Sequence, residues 1–187
     1  MNYKVLCIGN VSGFSGVPAN LFPAIEKKRE IVDIIDTKFS GFWNYYNYLY
    51  CFLRLPNQKK WLNPVHTIFH ELGDFRPHTS YYILKNIEAL QDKIDKVDKE
   101  YDIIFQASAI QIKNKHGKPH CIFTDCTPKQ AERDYFTWHK FFSDNDKKLY
   151  EKTAFESYHD ASKIFTASNY CRNSIINDYG VNEEKIV

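Results

Sequence analysis

A chain of 187 residues, 43% hydrophobic and 26% charged, can close one core and has the composition of a folded globular domain, which excludes wholesale disorder. Its 25 basic and 23 acidic residues leave a formal charge of +2, spread along the chain rather than blocked, so no nucleic-acid partner is expected. Five cysteines, an odd number without a C-x-x-C pair and several inside apolar runs, fit a reducing cytoplasm best, and the N-terminal apolar run of residues 5–8 is too short to be expected as a signal peptide.

In chain order, residues 5–8 read as a strand closed by Gly9-Asn10, and Pro18 sits where the first turn of a helix tolerates it, ahead of Leu21, Phe22 and Ile25. A second strand, Glu30 to Asp36, completes a βαβ unit and starts a parallel sheet. Residues 41–55 are crowded with aromatic side chains, and only Asn44, Asn47 and Arg54 recur as a narrow polar stripe. This predicts an aromatic helix ending before Pro56. Its apolar faces are expected to be packed, although the flanking Lys59, Lys60 and Trp61 also suit a peripheral membrane contact at the inner face of a membrane.

A mixed segment follows to Pro77, and then Ile83, Ile87, Leu90, Ile94 and Val97 recur at steps of three and four, an amphipathic helix over 80–99. Residues 103–107 and 120–124 read as two buried strands separated by a lysine-rich turn around Gly117 and Pro119. Residues 128–161 are largely helical with a break near Ser143-Asp144-Asn145-Asp146, and 163–167 form a fifth strand. A helix opening at Ser168-Asn169 stops at Tyr179-Gly180, and 184–187 begin a further strand. One α/β domain is expected, an open doubly wound and mostly parallel sheet, with ligands beyond the carboxyl ends of its strands.

Three places could carry chemistry. The first βα loop, G-N-V-S-G-F-S-G over 9–16, lets backbone approach a phosphate or pyrophosphate; the lesser alternative is a glycine-rich turn required only for helix packing. Val11 breaks the strict G-x-G-x-x-G fingerprint, although Asp36 lies about where a ribose-binding acid would sit. Polar residues also gather after two strands, as Gln106-Ala107-Ser108 and Thr124-Asp125-Cys126-Thr127. Asp125 would be partly shielded at the rim of the sheet, able to accept a hydrogen bond from a substrate hydroxyl, or else Asp125 or Thr127 caps the helix at Pro128. An aspartyl-phosphatase reading falls because the first strand carries no Asp. His66, His70 and Glu71 do not spell H-E-x-x-H and read as structural, so no metal is expected.

The order from Tyr101-Asp102-Ile103-Ile104-Phe105 through F-T-D-C-T-P to A-S-K-I-F-T-A-S-N-Y-C-R-N-S-I-I-N-D-Y-G-V-N-E-E-K-I-V resembles the N-terminal domain of GT-B glycosyltransferases of the family 4 retaining type. The resemblance implies a Rossmann-like acceptor-binding domain, with a nucleotide diphosphate sugar as donor substrate and a sugar acceptor as partner. It also implies a C-terminal donor-binding domain, in the same or another chain, beyond the residues present. Carried across, Gly13, Phe14, Ser15 and Gly16 look like the loop approaching the donor diphosphate, and Asp125 looks like the catalytic residue at the acceptor hydroxyl. Ser108, Thr127, Ser168 and Asn169 look like acceptor or cleft residues. Phe14 and Ser15 separate glycines that many relatives have paired. No E-x7-E motif, which neutralises the leaving diphosphate in that family, occurs in the chain, so the isolated domain is expected to bind rather than turn over.

Asp144-Asn145-Asp146 also spells the D-x-D of another glycosyltransferase fold, but ahead of Lys147-Lys148-Leu149-Tyr150 it reads as a helix start favourable to acids. Two readings compete with transfer. A short-chain NAD(P)-dependent oxidoreductase would use the first loop together with the Y-x-x-x-K of Tyr81 and Lys85; a non-catalytic subunit would need a partner chain for the donor half.

Overall fold

Uninterrupted apolar runs bury strands on both faces, and this is what the centre of the molecule contains. The computed structural model describes residues 3–11, 16–38, 42–54, 79–134 and 143–187. Five strands, β1 (Lys4–Gly9), β2 (Glu30–Asp36), β3 (Ile103–Ala107), β4 (His120–Thr124) and β5 (Lys163–Thr166), pair in the order β2-β1-β3-β4-β5. Every pairing is parallel. The architecture is α/β with an all-parallel five-stranded sheet, consistent with a Rossmann-like fold. Leu6, Cys7 and Ile8 of β1 are fully buried, as a strand covered on both sides requires.

The strand register places the helices. Ile8 pairs with Gln106, Gln106 with Ile122 and Ile122 with Ile164, so these side chains share one face. On that face α3 (Ser80–Asp95) sets Leu90 and Ile94 against Leu6, Ile8 and Ile104. Beyond it, α5 (Asp144–Asp160) and α6 (Asn169–Tyr179) pack Ala154, Tyr158, Cys171 and Ile175 on Ile122 and Ile164. The opposite face of β1 and β3 receives Phe22 of α1 (Val17–Glu26) against Val5, Cys7 and Ala107.

Close approach of α1 explains Gly9. A Cβ there would lie 3.0 Å from Phe22 Cζ, 3.1 Å from Pro18 Cγ and 3.3 Å from Ala107 Cβ. At this glycine the requirement is helix packing. Gly9→Ala is expected to destabilise the fold by about 1–3 kcal/mol through overpacking, read as a lower midpoint in urea unfolding; an unchanged midpoint would show that α1 yields freely.

Three expectations are corrected by the structure. α2 (Phe42–Arg54) is a helix, but Asn47 of its supposed outer stripe is fully buried, while Phe42, Tyr45, Tyr46 and Leu49 are 74%, 75%, 49% and 56% exposed. The reason is polar: Asn47 Oδ1 accepts a 2.9 Å hydrogen bond from the hydroxyl of Thr79, and Thr79 in turn caps α3 by accepting from the Tyr82 amide. The amphipathic helix closes at Asp95 rather than running to residue 99, with Val97 packed beyond its end. The final strand is also shorter than expected, because Glu183–Lys185 make a 3₁₀ turn and only Ile186 bridges β5, in parallel, at Ile164.

β3 and β4 are joined by residues 108–119 with no helix between them, and Ile112 of this connector enters the core in a helix's place. Short helix α4 (Pro128–Asp134) follows β4. Asp144-Asn145-Asp146 forms the first turn of α5 under a Ser143 capping box. Among the described residues no helix is long and apolar enough to cross a membrane.

Candidate functional site

The chain adds β2 on one side of β1 and β3 on the other, so connections leave β1 and β3 in opposite directions. A crevice opens at that point beyond the carboxyl ends of the strands. A cavity of about 260 Å³ occupies it. Asn10 follows β1 there, Thr37 follows β2 and Ser108 follows β3, while Tyr82, Asn86, Ile83 and Ile87 of α3 and Tyr150 and Thr153 of α5 form the outer wall.

A second cavity, about 250 Å³, lies at the end of β4 and is lined by Thr124, Asp125, Cys126, Thr127 and Pro128, with Tyr150, Ala154 and Tyr158 of α5. Ser108, Ala109, Ile110 and Tyr150 belong to both. The two therefore form one groove divided by the turn after β3.

That turn is strained and pinned. Ser108 has φ 105°, a left-handed conformation that a non-glycine residue holds at a cost of about 1–3 kcal/mol. Its amide donates to Phe123 O at 2.9 Å, and Gln106 Nε2 donates to Ile110 O at 2.8 Å. Gln106, grouped in sequence with the strand-end polar residues, is fully buried beneath the turn and outside both cavities.

Because its amide nitrogen serves Ile110, Gln106 must present its Oε1 to His120 Nε2, 2.9 Å away, which assigns the proton of His120 to Nε2. Nδ1 of His120 is then a buried acceptor without a partner among the described residues. Burial, helped by the charge of Lys115, pushes the imidazole down from 6.5 to about 4.

A histidine held neutral in the fold titrates first in the unfolded chain. The stability it supports is complete above pH 6.5 and is lost as pH falls toward about 4. The loss amounts to about 3 kcal/mol over that window. Urea unfolding from pH 7 to 4 is expected to show this decline, and His120→Gln to flatten it; an equal slope in the variant would remove His120 as its source.

Thr127 and Asp125 divide the two roles their neighbourhood offered. Thr127 Oγ1 accepts from the Gln130 amide at 3.2 Å, Gln130 Oε1 accepts from the Thr127 amide at 2.9 Å, and the Thr127 hydroxyl also meets Ser174 Oγ at 2.6 Å. Thr127 is the cap of α4, and though it lines the groove its hydroxyl is committed. Asp125 is exposed at the mouth of the second cavity, and among the described residues its carboxylate forms no hydrogen bond. Among the described residues it alone brings charge to the lining of either cavity.

The remaining candidates sit elsewhere. Ser168 caps α6 by accepting from the Cys171 amide at 3.1 Å, and neither it nor Asn169 lines the two cavities. Gly16, at φ 61°, opens α1 and its carbonyl accepts from Asn20; Gly13, Phe14 and Ser15 lie outside the described residues. So do Lys59, Lys60, Trp61, His66, His70 and Glu71. Asp36 Oδ1 accepts from the Lys38 amide at 2.9 Å. On α3, Lys85 pairs with Glu88 at 2.7 Å and the ring of Tyr81 lies 5.1 Å from that of Tyr46, one face away from the residues lining the groove.

Sequence reasoning missed Thr37, Tyr82, Asn86 and Tyr150. The one available signal was Asn86, an amide three residues from Ile83 on an otherwise apolar stripe. No protein-family model matches the chain, and no curated protein matches it.

Proposed function

We propose that this chain is the acceptor-side domain of a retaining glycosyltransferase of GT-B type, which moves a sugar from a nucleotide diphosphate sugar to a glycan, lipid or protein hydroxyl. One observation carries the reading: Asp125 presents a carboxylate free of the helix cap at the mouth of a groove whose lining, among the described residues, is otherwise uncharged. The order of elements over residues 101–187 adds support, as does the position of the groove beyond the carboxyl ends of β1, β3 and β4.

In this reading Asp125 is the catalytic residue, accepting a hydrogen bond from the acceptor hydroxyl and aiming its oxygen at the anomeric carbon. The bond from that carbon to the diphosphate breaks, the bond to the acceptor oxygen forms on the same face, and the hydroxyl proton passes to the departing phosphate oxygen. Charge developing on the diphosphate needs cationic donors. Among the described residues none lines the groove, and in this reading a donor-binding domain in the same or another chain supplies them. The exposed stripe of Phe42, Tyr45 and Leu49 suits peripheral contact with a membrane carrying a lipid acceptor.

The oxidoreductase alternative is disfavoured by the placement of Tyr81 and Lys85 off the groove. The test is to join the chain to its donor-binding half, supply a panel of nucleotide diphosphate sugars, and read the anomeric configuration of any product by NMR. Transfer with retention is expected; inversion, or tight saturable NADH binding without any transfer, would defeat the assignment.

A further inference from the structure

We propose that the cavity at the β1/β3 crevice is a subsite for a single uncharged, hydroxyl-bearing ring held by Thr37 and Asn86. The acceptor is then a neutral glycosyl unit rather than a phosphorylated or uronic one. The word acceptor rests on the function proposed above; the chemistry of the subsite does not.

Asn86 occupies the core-facing stripe of α3 beside Ile83, Ile87 and Leu90, where an aliphatic side chain would complete the pattern. It is only 9% exposed, and among the described residues its side-chain amide forms no hydrogen bond. Thr37 is 7% exposed; its backbone N–H donates to Gly9 O, while its hydroxyl meets no partner among the described residues. Neither group is sealed from the cavity, so each can take a hydrogen bond from a molecule held there. Both side chains line the same cavity, one from the end of β2 and one from α3.

Neighbouring polar groups make the contrast. Thr153 donates its hydroxyl to Tyr150 O, and Gln111 donates its amide to Glu156. Among the described residues, what is left open in the buried part of the lining is one amide and one hydroxyl, and the exposed Ser108 hydroxyl at the turn after β3 adds a second hydroxyl.

Among the described residues no Asp, Glu, Lys, Arg or His lines this cavity. An anion here would lose its hydration without a compensating charge, and Asp125 in the adjoining cavity would repel it. A hydroxyl both donates and accepts, as do the amide of Asn86 and the hydroxyl of Thr37, so a vicinal diol satisfies all of them. Ile83, Ile87 and Ile110 supply an apolar wall for the C–H face of a ring, and a volume of about 260 Å³ suits one ring rather than several. A diol of this kind occurs on a glycosyl unit and on the ribose of a nucleoside, so the two sources are separated by experiment.

The experiment is ligand-observed NMR titration of the full chain with methyl glucoside, methyl galactoside and methyl mannoside, with the matching uronic acids and 6-phosphates, and with uridine and adenosine. The same set is run on Thr37→Val and Asn86→Leu. At least one neutral glycoside is expected to saturate, its charged counterparts to bind at least about 10-fold more weakly, and each variant to lose about 10-fold in affinity. Asn86→Leu is also expected to keep or raise Tm, because it places an aliphatic side chain on the core-facing stripe of α3, so lost binding there is not unfolding.

Equal binding of the charged forms, wild-type affinity in both variants, or no saturation by any probe would each overturn the proposal. Saturation by a nucleoside alone would overturn the glycosyl assignment. Binding is read without turnover, so glycoside binding that depends on Thr37 and Asn86, together with absence of transfer from every donor, would sink the glycosyltransferase reading and leave the subsite standing.

Discussion

Asp146→Ala is expected to destabilise the protein by about 3 kcal/mol and to widen the groove at the same time. The carboxylate of Asp146 is 1% exposed and accepts four hydrogen bonds from two helix starts. Ser80 donates both its amide and its hydroxyl to Oδ1 at 2.7 Å, and Ser143 donates its amide at 3.1 Å and its hydroxyl at 2.7 Å to Oδ2. Hydrogen bonds to a charged acceptor contribute about 1.5–3 kcal/mol each when lost singly, and a lost cap about 1 kcal/mol, but the losses overlap because the serines can turn to water. The tie matters for the site because α3 carries Tyr82 and Asn86 and α5 carries Tyr150 and Thr153, the two halves of the outer wall.

Burial alone would raise the Asp146 carboxyl, but the donors from Ser80 and Ser143 outweigh it and hold it below the ordinary aspartate value of 3.8. Its contribution is therefore complete above that value and is lost only as pH falls through the lower folded one. Asp146→Asn keeps the shape without the charge and is expected to lose about half as much. Urea unfolding at neutral pH checks both; a change below about 0.5 kcal/mol for the alanine variant would show that the bridge is incidental.

Under the proposed transfer function, Asp125→Ala is expected to reduce sugar transfer by about 100-fold or more once the chain is joined to a donor-binding domain, with unfolding unchanged. The asymmetry follows from the cap. Thr127 already satisfies the start of α4, and Asp125 is exposed, so removing its side chain leaves no buried donor unpaired. Asp125→Asn should keep acceptor binding but orient the hydroxyl less well, lowering kcat more than it raises KM. Full transfer rates in the alanine variant would sink the catalytic role, and a large stability loss would return Asp125 to the helix start.

Strands were the most legible elements, because a parallel strand covered on both faces is an unbroken apolar run that needs no partner to be recognised. β3 and β4 follow their expected runs from first residue to last, and so does β2, an edge strand whose apolar run is broken only by Asp33. Helix caps were legible for the same local reason: Ser143 and Asp146 are three residues apart. Long-range polar pairing was not. The 32-residue separation of Asn47 from Thr79 hides why α2 turns its aromatic side outward, and the Gln106–His120 pair exists only once the β3–β4 register is set. Asp125 was visible as a polar residue ending an apolar run, yet whether it or Thr127 capped α4 depended on Gln130 answering Thr127. Thr37 and Asn86 were invisible as a pair, since one follows an edge strand and the other interrupts an apolar helix stripe.

The most direct test of the central claim is backbone-amide NMR of the isotopically labelled chain, titrated with a neutral methyl glycoside and then with a nucleotide diphosphate sugar. The account predicts glycoside-induced shifts at Asn10, Thr37, Asn86, Ser108 to Gln111 and Asp125, the residues around the carboxyl-end groove. It would be contradicted by shifts confined to the opposite end of the sheet, around Tyr101 and Lys118.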